Sequence, residues 1–258
     1  MFGLKPIILH YSKGADFMDE EKGVGDYLFD WKRKFDNFWY HYKFVLLIGL
    51  AVLAFIIFCV AQCASRVKGD VNIAYIGAME IDSETYNEIQ SSLDEILGED
   101  FNGDGRVHAE FTQFVYMTLV QMENERAKGR PVNIQGIMTA QTQIELEFAA
   151  GNLVIYLIDR DVYKQYAGTS GLFMPLEDAL GYIPEESYDG YALKFGSLQC
   201  SEYYMGLDRF PDGTLMVVRD LQVSEEDDEK MQELYRRNLA MFKRLVEFKF
   251  KEEEETKE

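Results

Sequence analysis

The sequence predicts an α/β protein: a single N-terminal transmembrane helix followed by an extracytoplasmic α/β domain whose mostly parallel sheet is flanked by helices. Three observations carry that prediction. Phe44 to Ser65 is an uncharged, apolar run of 22 residues between Lys43 and Arg66, and as a helix it would rise about 33 Å, enough to cross the hydrocarbon core of a bilayer. Val71 to Met117 reads as strand, helix, strand. Leu153 to Ile158 is apolar without alternation, the pattern of a strand covered on both faces in a central parallel sheet.

The apolar run separates two chemically different parts of the chain. Of 26 basic and 45 acidic residues, seven of each precede Phe44, so the part beyond it carries a net charge of −19. That surplus argues against nucleic acid as a partner and against adhesion of this part to anionic lipid. Val71 to Glu258 is 188 residues, the size of one ordinary domain with its own core. Cys59 and Cys63 lie in the apolar run, which leaves Cys200 without an internal disulfide partner beyond it.

Residues 1–26 hold four glycines among mixed charges and no sustained period, the composition of a flexible cytoplasmic tail. Over 27–43, Leu28, Trp31, Phe35, Phe38/Trp39 and Tyr42 recur at three- and four-residue steps with Lys32, Arg33 and Lys34 between them. This predicts an amphipathic juxtamembrane helix with aromatics at headgroup level, so that residues 27–65 engage the lipid bilayer. The span itself is 44–65. Its N-terminal flank is longer and more evenly charged than a secretory leader, which points to a retained signal anchor. Val60-Ala61-Gln62-Cys63 has the outline of a lipoprotein cleavage site, with Gln62 where a small residue is usual. Lys32, Arg33, Lys34 and Lys43 against Arg66 and Lys68 place the N-terminus in the cytoplasm and the large domain outside.

The extracytoplasmic domain is expected over 71–250, with a charged C-terminal tail at 251–258. Val71 to Gly77 is a buried strand, and Asp82 or Ser83 caps a helix ending at Gly98. Arg106 to Met117 holds a second strand, and Ile134 to Ala150 a helix stopped by Gly151. After the strand at Leu153 come a short helix at Asp161 to Tyr166, a Tyr-, Gly- and Pro-rich stretch over 177–212 with a strand at Tyr191 to Phe195, and a strand at Leu215 to Arg219. Ser224 is expected to open the last helix, with Asp227 in the capping-box position and Met231, Leu234, Leu239, Phe242, Leu245 and Val246 facing the sheet.

One stretch has the outline of a metal site. In Asp100-Phe101-Asn102-Gly103-Asp104-Gly105-Arg106-Val107, Asp100, Asn102 and Asp104 supply oxygens at positions one, three and five, with glycine at six, as in the first half of a calcium loop. Position twelve is Phe111, so the closing carboxylate is missing. The same residues also suit a tight turn before a strand. No other cofactor is indicated. His108 is the only histidine beyond the span, and neither a GxSxG elbow nor a phosphate-binding glycine loop occurs. The residues therefore point away from an enzyme. Tyr188, Tyr191, Tyr203 and Tyr204 could line a binding surface or simply pack their loops.

Gln143 to Leu180 resembles a segment of bacterial extracellular solute-binding proteins of the type 2 periplasmic-binding fold. The features are the Ala149-Ala150-Gly151-Asn152 turn, the strand Leu153 to Asp159, the short helix Asp161 to Tyr166 and the Gly171 to Leu176 turn. Asn152 stands where that family usually has an acid, and its frequent following proline is absent. The likeness extends loosely to the first strand and helix and to Leu215 to Phe248. It implies a reduced or single-lobe version of a fold that binds ligand between two lobes. The Phe38 to Lys43 stretch is also similar to that of membrane-anchored proteins of Gram-positive bacteria in which such aromatics precede the span. Together these readings lead to a non-catalytic binding or interaction protein at the outer face of the cytoplasmic membrane, accessory to a transporter or envelope complex. Its partner would be an envelope protein or a small-molecule ligand. The alternatives are a solute receptor of an ABC-type uptake system and an extracytoplasmic hydrolase without a recognisable motif.

Overall fold

A computed structural model describes residues 24–64 and 68–250. The expected tail at residues 1–26 lies outside the described residues except for its last three, and the charged end at 251–258 lies wholly outside them. The chain divides between residues 66 and 67 into two units.

The first unit holds one helix, α1 (Val24–Ala64), 41 residues without a break. At 1.5 Å per residue it is about 62 Å long. Within it Phe38–Val60 is long and apolar enough to cross a membrane, with a mean hydropathy of 2.9 and none of it buried. The expected juxtamembrane helix and span are thus a single element. Nothing separates them because no proline occurs between Tyr27 and Ser65 and the first glycine in that stretch is Gly49, well inside the apolar run.

The second unit is an α/β domain. Its elements are β1 (Val71–Gly77), α2 (Ser83–Leu97), β2 (Ala109–Val115), α3 (Leu119–Ala127), α4 (Ile134–Ala150), β3 (Ile155–Asp159), α5 (Arg160–Tyr166), α6 (Leu176–Leu180), β4 (Ala192–Lys194), α7 (Gln199–Tyr203), β5 (Thr214–Val218) and α8 (Glu229–Glu247). The five strands lie in the order β2-β1-β3-β5-β4. β1 is parallel to both β2 and β3, whereas β5 is antiparallel to both β3 and β4. The sheet is therefore mixed, not mostly parallel as the strand–helix–strand pattern suggests. β4 still points the same way as β1, β2 and β3, but the 3₁₀ turns and short helix α7 between β4 and β5 return the chain at the end of the sheet where β4 finishes, which makes β5 run backwards.

Both faces of the sheet are covered. Val71, Ile73 and Tyr75 of β1 join α2 and α8 in one cluster, while Ala74 and Ile76 join α4 and α5 in the other. β3 divides likewise, with Leu157 on the first face and Tyr156 and Ile158 on the second. Two buried faces explain why these strands read as unbroken apolar runs.

The last helix starts later than the sequence suggests. α8 begins at Glu229, and Asp228 accepts from the amides of Lys230 (2.8 Å) and Met231 (3.4 Å). Ser224 lies instead in a 3₁₀ turn, Val223–Glu225, and Asp227 closes no capping box on α8. The turn exists because Glu225 folds back onto Arg219, a fully buried side chain. Arg219 Nη1 and Nη2 donate to the two Glu225 carboxylate oxygens, each at 2.9 Å. Nη1 also donates to the Tyr235 hydroxyl of α8 at 2.6 Å, and Nε to the Phe148 carbonyl in the last turn of α4 at 2.8 Å. Gly151, in the left-handed region at φ 73°, ends α4 here. A Cβ on Gly151 would stand 2.6 Å from Glu225 Oε1 and 2.9 Å from Arg219 Nη1, so both conformation and close approach require glycine.

Burial alone would push the Glu225 carboxyl up, but the Arg219 guanidinium and the Gln222 amide outweigh it and hold it below the usual range. A depressed carboxyl pKa stabilises the fold above the unfolded value of about 4.3 and loses that contribution as pH falls through the folded value. Glu225→Gln should cost about 3 kcal/mol at pH 7, as expected for breaking a buried pair. The difference from wild type should begin to shrink in urea melts as pH falls below about 4.3, where the unfolded carboxyl takes up its proton, and should be lost once pH passes the lower folded value.

Candidate binding cleft beside the parallel strands

The carboxyl ends of β1, β2 and β3 lie side by side, the usual place for a ligand crevice in an open α/β sheet. At the junction of β1 and β3 the Asp159 carboxylate accepts from the Tyr75 hydroxyl and from the Ala78 amide, each at 2.9 Å. Burial pushes the Asp159 carboxyl up, opposed by those two donors, and burial beside Asp159 raises Tyr75 as well. Tyr75 thus stays neutral and donates. Gly77 makes the junction close: a Cβ there would overlap the Tyr75 hydroxyl and stand 2.5 Å from Asp159 Oδ1. With both carboxylate oxygens engaged, the group locks the turn after β1 to the end of β3.

Next to this lock lies a cleft of about 730 Å3, lined by residues that follow β2, by the start of α3, by one face of α4 and by α5. Its size is that of a small-molecule or peptide side-chain pocket. α3 enters it through a capping box, in which the Gln121 amide donates to Thr118 Oγ1 at 3.3 Å and the Thr118 amide to Gln121 Oε1 at 2.8 Å. Thr118-x-x-Gln121 is the local sequence signal of this helix, which lies between the expected strand over 106–117 and the expected helix over 134–150.

No described residue of α3 is buried. Leu119 and Val120 are 75% and 65% exposed, and across the cleft Met138 is 63% and Ile134 45% exposed. Met117 and Met122 add flexible, polarizable walls. Among the polar groups of the lining, the Tyr116 hydroxyl donates to Gln165 Oε1 at 3.1 Å, and Lys164 stands 3.6 Å from Asp161. A second hollow of about 420 Å3, beside β4 and β5, has Arg160 and Lys194 among its lining, but also Glu202, Asp208 and Asp212, so it favours no one ligand charge.

The expected site residues fall elsewhere. Asp100, Asn102 and Asp104 come together in the turn before β2, where their oxygens accept from the turn's own amides. Asp100 takes Gly103 (2.6 Å) and Gly105 (2.7 Å), Asn102 takes Asp104 (2.9 Å), and Asp104 takes Arg106 (2.9 Å). The Gly105 amide leads in holding the Asp100 carboxyl below its ordinary value. From beneath, fully buried Asp70 accepts from the amides of Phe101, Asn102 and His108 at 2.8 to 2.9 Å. Among the described residues no three His, Cys, Asp or Glu side chains group as a metal site.

His108 lies 3.5 Å from the Asp94 carboxylate. Cys200 is fully enclosed, and burial pushes its thiol up to about 12. The tyrosines separate into two groups: Tyr188 packs edge-on to Tyr163 at 6.0 Å, whereas Tyr203 packs on Tyr204 and Phe250, each at 4.9 Å.

With the geometry in hand, comparison with known proteins adds no relative: no family model, no curated protein and no solved structure matches the chain.

A turn whose carboxylates are satisfied by its own amides should melt independently of added cations. EDTA should leave the melting temperature of the domain unchanged, and a fall of several degrees, restored by calcium, would put an ion on Asp100, Asn102 and Asp104.

Proposed function

We propose that the chain is a membrane-anchored, non-catalytic interaction protein, its α/β domain held at the outer face of the cytoplasmic membrane by α1 and presenting the apolar cleft to an envelope partner. The observation that carries this reading is the cleft between α3, α4 and α5, where Leu119, Val120, Ile134 and Met138 expose apolar surface. Scattered single apolar side chains need no explanation on a protein surface, but a concave group of four does. The net charge of −19 beyond the apolar run supports a protein or neutral ligand over nucleic acid or an anionic lipid face.

A second reading, a solute receptor for an uptake system, draws support from the resemblance of Gln143 to Leu180 to solute-binding proteins. The parallel β2-β1-β3 half with a cleft beside its carboxyl ends fits that reading too. The two readings part on the ligand. A photo-crosslinking residue at Val120 in intact cells should capture a discrete envelope protein. Val120→Glu or Met138→Glu should abolish capture while leaving the melting temperature within about 1 °C, because surface substitutions away from special features are near neutral. A melting shift of the purified domain with a free sugar, peptide or amino acid, and no protein cross-link, would favour the receptor.

Orientation is tested separately. Protease added to intact cells should remove the domain beyond residue 67, and its protection would reverse the assignment of sides.

A further inference from the structure

We propose that α1 is a self-association helix: two copies of the chain pair in parallel along an aromatic seam that continues into the span. Leu28, Trp31, Phe35, Phe38 and Tyr42 follow one another at steps of three, four, three and four residues, the spacing of a coiled-coil seam. Carried forward in the same register, the seam meets Val45, Gly49, Val52, Ile56 and Cys59, all within the apolar segment. The inference goes beyond the cleft and needs only that α1 cross a membrane.

An amphipathic stripe next to a span can be covered by the headgroup layer when the chain bends and the helix lies flat. α1 does not bend. It runs unbroken from Val24 to Ala64, about 62 Å against the 40 to 45 Å of a whole bilayer. Trp31, seven residues before Phe38, therefore stands about 10 Å beyond the span along the helix axis. There Trp31 and Phe35 are 71% and 49% exposed and stack at 6.1 Å, and the stripe continues into the span with Phe38 and Tyr42, 47% and 53% exposed and stacked at 5.1 Å.

The occupant that fits is a second α1. Copies inserted in one direction are parallel and of equal depth, so each seam residue meets its own counterpart over the full length of the stripe. The flanking positions are compatible with that register. Beside the seam, Lys32 and Trp39 are both exposed and lie outside the seam positions themselves, which are uncharged throughout. Within the span Gly49 lies on the seam with no atom within 4 Å of where a Cβ would stand, which lets the two backbones approach.

Cys59 on the seam supplies the test. In membranes from cells making the full chain with Cys63→Ser, copper-phenanthroline should link Cys59 to the partner's Cys59 as a disulfide dimer on non-reducing gels. Cys200, fully buried, stays in place. Moving the thiol to the opposite face, as Ala54→Cys with Cys59→Ser, should lower the dimer yield at least about fivefold, since only seam positions face each other. Trp31→Lys with Phe35→Lys should lower the Cys59 yield at equal protein in the membrane. Equal yields from Cys59 and Ala54→Cys would overturn the pairing. So would an absent dimer combined with quenching of Trp31 and Trp39, the chain's two tryptophans, by brominated lipid, which would place the stripe in the headgroups. Loss of the chain from the membrane fraction would overturn the span together with the pairing.

Discussion

A single buried cation holds the α/β domain together. Arg219 has no exposed surface, and removing a guanidinium from water costs several kcal/mol unless its donors are met. Four of its five N–H groups are met, and their acceptors come from three different places: the last turn of α4, the turn before α8 and α8 itself. The Arg219 amide also donates to the Val154 carbonyl just ahead of β3, at 2.8 Å. One side chain thus joins elements from both faces of the sheet, and Gly151 is glycine because no side chain fits beside it.

The same economy shapes the parallel edge. Asp159 and Tyr75 join the ends of β3 and β1, Asp70 gathers the turn before β2, and in each case a carboxylate is spent on backbone amides or a neutral hydroxyl. Buried acids used in this way are not free to act as bases or ligands. What remains open to a partner is the apolar surface of α3 and α4, whose side chains find no cover within the domain. α1 presents a comparable surplus of exposed aromatic surface in the other unit.

Much of the architecture was legible in the chain. Leu153 to Ile158 read as a two-sided strand because both faces are in fact buried, and Ile134 to Ala150 matched its helix because the N-cap Asn133 and the stop at Gly151 are local signals. The start of α8 was misplaced because Ser224 and Glu225 have the chemistry of a helix opening, while the fold uses Glu225 for Arg219, a partner six residues back, just after β5. The calcium-like pattern at Asp100 to Gly105 was ambiguous for a related reason. Carboxylates spaced to hold an ion are also spaced to hold amides, and spacing alone does not say where they point.

The sequence by itself determined a separate apolar helix, an acidic α/β domain beyond it and the order of that domain's main elements, since periodicity, caps and charge are properties of neighbouring residues. Only the tertiary structure decided the reversed direction of β5 and the cleft between α3, α4 and α5. These depend on contacts between residues far apart in the chain.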